Sequence, residues 1–317
     1  IYSIREGQAV IEEDELGKIP ENIQNLIRSN ILTLDGKSLR ILQAASVIGK
    51  EFSFSQVNHL LDNTITNEEM ADIPVQMNLI ELKSTRTSAR IVDKTYEFTH
   101  EIEREVIYEG ILNKEKALLH RKIGEYLEAA YSKDIENCYA PLCTHLIKAG
   151  LPKKAAGYYY QAAMKLKDGF NLGSSLECFD RFLELHAAES GNRADERAFI
   201  AYREKGRIHL INANYEDALE QLYKALDHAA LPDDINGTKV QIAEVYKDMG
   251  RLEDASRIIN GLEPGLREGD QNYGKWLQLK CDILRIKGDT GTLALAKKSE
   301  KMILRTGDYR SLSEIMK

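Results

Sequence analysis

The chain has 317 residues, 43% of them hydrophobic and 29% charged, with a formal net charge of −7. This composition excludes wholesale disorder, and the acidic balance argues against a general nucleic-acid binder, which needs Lys and Arg to neutralise phosphates. No apolar run reaches the ~18 residues that span a bilayer, and no secretory signal opens the chain, so no membrane contact is expected.

Ile1-Tyr2-Ser3-Ile4 lacks Met and reads as the edge of a longer polypeptide. Cys138, Cys143, Cys178 and Cys281 show no C-x-x-C pairing and no His at metal-ligand spacing. They read as small buried thiols in a reducing, cytoplasmic interior, with no metal site.

Pro20 opens an expected helix to Leu34, with Ile23, Leu26, Ile27 and Ile31 on one stripe. Asp35-Gly36 breaks it, and Leu39 to Val47 form a second, mostly buried helix closed by Gly49. A third short helix covers Phe54–Leu61. Thr66-Asn67-Glu68-Glu69 then caps a fourth, which runs to about Asn78. Ile80 and Leu82, then Ile91, Val92, Tyr96 and Phe98, give two β-like runs separated by a polar stretch, Lys83 to Arg90. Three helices and a two-stranded ribbon outline a winged helix.

From His100 onward only helices are expected. They fall at 100–111, 114–131, 137–149, 152–168, 172–188, 194–212, 215–230, 235–249, 252–262, 272–287 and 290–305, with a last from about 308. Short turns at Gly150, Asn214, Gly250 and Gly288 force antiparallel neighbours.

The second half also repeats itself. Ala213-Asn214-Tyr215-Glu216-Asp217-Ala218 matches Gly250-Arg251-Leu252-Glu253-Asp254-Ala255; Gly150-Leu151-Pro152-Lys153-Lys154-Ala155 is a third copy, and Gly288-Asp289 with Leu293 a weaker fourth. Ala at the head of each second helix permits close approach, and the residue four places on (Tyr159, Leu222, Ile259) fills the neighbouring gap. The pattern is tetratricopeptide-like and divergent. In such hairpins the first helix lines a groove, and the phase places Arg203, Arg207, Gln241, Lys247, Gln278 and Arg285 there, suited to an acidic peptide or a terminal carboxylate.

Four words in order carry a family resemblance: Ile19-Pro20 through Leu34; Leu42-Gln43-Ala44-Ala45-Ser46-Val47-Ile48-Gly49-Lys50-Glu51-Phe52; Tyr96-Glu97-Phe98-Thr99-His100-Glu101-Ile102 with Glu105-Val106-Ile107-Tyr108; and Leu119-His120-Arg121-Lys122-Ile123-Gly124-Glu125-Tyr126-Leu127-Glu128. Residues 19–128 resemble the region after the nucleotide-binding core of signal-transduction ATPases with numerous domains (the STAND class), especially the ATPase modules attached to bacterial cyclases, kinases and MalT- or LuxR-type regulators. The resemblance implies a winged helix followed by tetratricopeptide-like repeats. It also implies that His100, in Thr99-His100-Glu101, stands where that family's Met-His-Asp-like motif contacts the β-phosphate of ADP; here Thr and Glu replace Met and Asp. His120 also fits the family pattern, though its spacing suits a structural helix residue.

The sequence has no G-x-x-x-x-G-K-[ST] loop, so no cofactor is expected in this chain; ATP or ADP is implied for an upstream domain of the same polypeptide. No nucleophile elbow or Cys–His pair suggests catalysis, and Glu12-Glu13-Asp14-Glu15 reads as solvated charge. The expected winged helix offers Glu68, Glu69 and Asp72 where a major-groove reader needs basic and amide groups, although Lys83, Arg86, Arg90 and Lys94 mark its wing.

The expected fold is therefore mainly α: the end of a lid or linker (1–34), a winged-helix-like domain with following helices (35–132), and an α-solenoid of helical hairpins (133–317). The expected function is a non-catalytic regulatory segment whose repeats bind a protein, peptide or small-molecule signal. The alternatives are a DNA-binding regulator and a free-standing repeat scaffold.

Overall fold

A computed structural model describes residues 2–5, 8–11, 27–66, 68–70, 78–88, 91–132, 137–190, 195–262 and 272–288. The acidic run at 12–15, the start of the helix expected from Pro20, most of the fourth helix and the helices expected beyond 289, with Leu293, lie outside these residues. The chain divides into two compact units, Ile1–Ala155 and Ala156–Lys317, whereas composition and spacing suggested a boundary at 132/133.

In the first unit, β1 (Tyr2–Arg5) and β2 (Gln8–Ile11) pair antiparallel, a hairpin the sequence did not announce. A helical turn over 27–31 follows. Helix α1 (Gly36–Ile48) is opened by Asp35, whose carboxylate accepts from the amides of Lys37 and Ser38, satisfying two of the amides that a helix start leaves unpaired. Its Ile41, Leu42, Ala44, Ala45 and Val47 are buried.

A three-residue strand, β3 (Glu51–Ser53), then leads into α2 (Phe54–Leu60), where Ser53 and Gln56 form a reciprocal capping box. Thr66 is the cap that the sequence predicted, and it exchanges the same kind of bonds with Glu69. β4 (Ile80–Ser88) and β5 (Ile91–Phe98) form a long antiparallel ribbon, and β3 joins its other edge to give the order β3-β5-β4.

Two expectations are corrected here. The ribbon has a third strand, because Phe52 buries itself between Tyr96 and Phe98, with ring centroids 6.1 and 5.4 Å away. The stretch Lys83–Ser88 is strand and not a separating loop: hairpin pairing with Ile91–Thr95 supplies its backbone bonds, and the exposed Thr85 is β-branched, as a strand favours.

Helices α3 (Glu101–Glu109), α4 (Asn113–Ala130) and α5 (Tyr139–Lys148) complete the unit's core. Gly124 lets α4 approach α5, for a Cβ there would stand 3.2 Å from Leu146.

Helix α6 (Pro152–Asp168) straddles the division. The second unit continues with α7 (Leu172–Ser190), α8 (Glu196–Ile211), α9 (Tyr215–His228), α10 (Pro232–Asp248), α11 (Leu252–Leu262) and α12 (Tyr273–Lys287). Consecutive helices from α7 to α12 pack on one another, and the alternate helices α8, α10 and α12 also touch, forming one layer. This is a stack of tetratricopeptide-like hairpins.

Ala155, Ala218 and Ala255 are fully buried at their helix heads, and Tyr159, Leu222 and Ile259 are buried one turn on. Burying each Leu or Ile contributes about 1.5–3 kcal/mol. The turns share one closure. At Gly150, Phe170, Ala213 and Gly250 a left-handed residue donates its amide three residues back, and the next amide reaches five back.

Candidate functional site

His100 caps α3 where β5 ends. It is exposed, in extended backbone, and its side chain makes no bond to the helix it precedes. The junction around it is fixed from several sides: the Thr99 amide donates to Leu79 O at 3.0 Å, the Thr99 hydroxyl to Asn78 O at 2.8 Å, and Arg104 to Ser46 O at 3.2 Å. Burial raises the Glu103 carboxyl, partly offset by the charge of His100. The imidazole is thus an exposed group on a rigid joint between sheet and helix.

Below that joint lies a polar cluster the sequence did not reveal. Tyr108 Oη is 3.0 Å from His120 Nε2, and His120 Nδ1 is 2.9 Å from His145 Nδ1, tying α3, α4 and α5 together. A single proton sits between the two Nδ1 atoms, so the tautomer of one ring dictates that of the other. Burial, then the neighbouring His145, Lys148 and Lys116 charges, push His120 down to about 3; burial and Lys148 push His145 down to about 4. Both rings are therefore held neutral. His120, read from spacing as structural, fills that role; its partner lies 25 positions away, out of reach of any helical pattern.

A cleft of about 740 Å³ opens between α1, the end of α2 and α4, with Arg40, Leu118 and Lys122 among its lining. Two of its cations are already engaged: Lys37 by Glu69, and Lys122 by Asp62 at 2.7 Å. The word Gly36-Lys37-Ser38 at its edge opens α1, but the Asp35 carboxylate occupies the amides that a phosphate would need.

All six residues expected to line a groove stand on the layered helices: Arg203 and Arg207 on α8, Gln241 and Lys247 on α10, Gln278 and Arg285 on α12. The sequence phase did not show how thoroughly acids accompany their charges. Arg207 Nη1 bonds both oxygens of Glu204 at 3.2 Å. Arg203 stands 3.7 Å from Asp234, and Arg285 bonds Asp282 at 3.4 Å. Burial alone would lower the Lys247 ammonium, but Asp248 at 3.1 Å, with Glu244 and Asp282 nearby, outweighs it and raises the group. The Gln241 carbonyl oxygen is buried without a partner.

No protein-family model matches the chain, and no curated protein matches it. Solved structures do. A signal-transduction ATPase with numerous domains carrying a tetratricopeptide repeat sensor, from Pyrococcus horikoshii, is 15% identical with a TM-score of 0.49, over 94% of this chain and 43% of that one. This chain thus spans less than half of that protein. MamA from Desulfovibrio magneticus RS-1 is 18% identical with a TM-score of 0.37, over 53% of this chain and 95% of its own. BtubC (BKLC) from P. vanneervenii is 12% identical with a TM-score of 0.42, over 63% and 94%. All three scores fall below 0.5, and the hairpin fold stands on the packing described above.

Proposed function

We propose that this chain is a non-catalytic regulatory segment of a multidomain STAND-class ATPase, in which a winged-helix-like module relays nucleotide state and the helical array receives a protein or peptide signal. The observation that carries the reading is His100. It stands at the centre of the Thr99-His100-Glu101 word, it is exposed, and it sits on a joint braced by Thr99, Arg104 and Ser46, as a side chain must if it is to report on a nucleotide held by another domain. The order of elements supports it: helices and ribbon first, hairpin array second. The array's layered helices offer fixed guanidinium groups to a partner, a mode suited to acidic segments.

DNA binding through the ribbon is less well supported, since Lys83 is bound by Glu51 and by Glu97 at 3.2 Å, so a phosphate approaching it would meet two carboxylates.

The test is nucleotide exchange in the natural polypeptide that contains this chain. His100→Ala is expected to speed ADP release at least tenfold while ATP binding persists. A polypeptide that binds no nucleotide, or an unchanged release rate, would remove the relay.

A further inference from the structure

We infer that α6 and α8 together form a site for a phosphate monoester carried by the array's partner, built from Lys167, Arg203 and Arg207 around the buried carboxylate of Glu204. The inference rests on reading the array as a partner-binding surface and names the chemistry that surface takes.

Glu204 is only 4% exposed. Its Oε2 accepts from Lys167 Nζ at 3.1 Å and from Arg207 Nη1 at 3.2 Å, while Arg203 Nε stands 3.9 Å from Oε1. One carboxylate thus gathers three cations from two helices, and it accepts hydrogen bonds from Lys167 and Arg207 but not from Arg203. Asp168 and Asp234 stand at 3.7 Å from Lys167 and Arg203, on the margin. Asp168 is 74% exposed, so solvent screens its charge.

Arg203 is the decisive group. Its guanidinium lies 4.8 Å over the Phe199 ring, which fixes its plane. Both nearby carboxylates, at 3.7 and 3.9 Å, are too far to accept a hydrogen bond. A partly exposed fork of five donors is therefore held in place with its hydrogen bonds unmade among the described residues. Arg207 gives only its Nη1 to Glu204, and half of its side chain faces solvent.

A phosphate monoester answers that geometry: its three acceptor oxygens, at about −1.5 to −2 units of charge at neutral pH, can take donors from Arg203 and from the open side of Arg207 together. A planar carboxylate would supply one charge and two oxygens. Glu204 orients the cations and, being buried, does not compete for the open side.

Inorganic phosphate is the probe, titrated into the full chain by calorimetry at matched ionic strength against chloride. Saturable binding is expected, weakened at least tenfold by Arg203→Met and by Lys167→Met. Arg203→Lys keeps the stem and the charge but loses the fork; it guards against a folding defect and should still weaken binding several-fold. Asp180→Asn, which releases Lys205 elsewhere on α8, should leave affinity unchanged.

A phosphoserine peptide binding more tightly than free phosphoserine assigns the group to a protein partner; equal affinities assign it to a small phosphorylated molecule. Absence of saturable phosphate binding, or equal affinity in the Met variants, overturns the site. The His100 exchange assay involves none of these side chains, so the regulatory reading and this site fail separately.

Discussion

A Cβ on Gly206 of α8 would stand 2.7 Å from Leu222 Cγ on α9 and 3.2 Å from the Ala218 carbonyl. The hairpin closes on a contact where one helix has no side chain and the other presents Ala218 and Leu222, 0% and 1% exposed. Close packing of this kind sets how each pair of helices stacks on the next.

Gly206→Ala should therefore destabilise the chain by about 1–3 kcal/mol through overpacking, against the helix-propensity gain of about 0.5–1 kcal/mol that Ala normally brings. Gly157→Ala, in α6 with nothing within 4 Å of its would-be Cβ, should show that gain alone. Urea unfolding of both variants checks the pair; equal shifts would refute the close crossing.

The turn residues make a second pair. Ala213 holds a φ of 57° where Gly150 and Gly250 occupy the matching turns at 75° and 76°. Ala213→Gly should raise stability by about 0.5–1 kcal/mol, because the left-handed conformation strains a residue with a Cβ. Gly250→Ala should lower it by a similar amount. Thermal midpoints of the two variants give the comparison.

The His120–His145 pair predicts acid sensitivity. Both folded pKa values, about 3 and about 4, lie below the ordinary 6.5. The unfolded chain therefore binds these protons first, and the pair's contribution is complete above pH 6.5. It is lost progressively as pH falls from 6.5 toward 4, approaching ~1.4 kcal/mol per pH unit for each ring that titrates. His145→Asn, which keeps a polar atom near Nδ1, should flatten that slope. Denaturant midpoints from pH 7 to pH 4 provide the check, and identical slopes in both proteins would show that other groups govern acid unfolding.

How much of this was legible follows from sequence distance. The turns and buried alanines of the array could be read because their signals sit within six residues: a turn residue, an acidic first turn, an Ala. Gly206 was not, since a glycine inside a helix looks like a weak point until its partner 12 positions later is known. β3 escaped notice because only Phe52 among its three residues is buried, too short for an alternating pattern. The histidine pair and the cations around Glu204 are tertiary meetings of side chains 25 and 37 positions apart. Periodicity found the helices bearing Arg203, Arg207 and Lys247 but not the acids that accompany them.

ATP turnover by the purified full chain separates a segment that only binds and relays from one that carries out chemistry of its own. Hydrolysis no faster than the protein-free rate is predicted, with Lys37→Ala indistinguishable from wild type, because Asp35 caps the amides of Lys37 and Ser38 and Glu69 holds the lysine. Saturable hydrolysis that disappears in Lys37→Ala would contradict it.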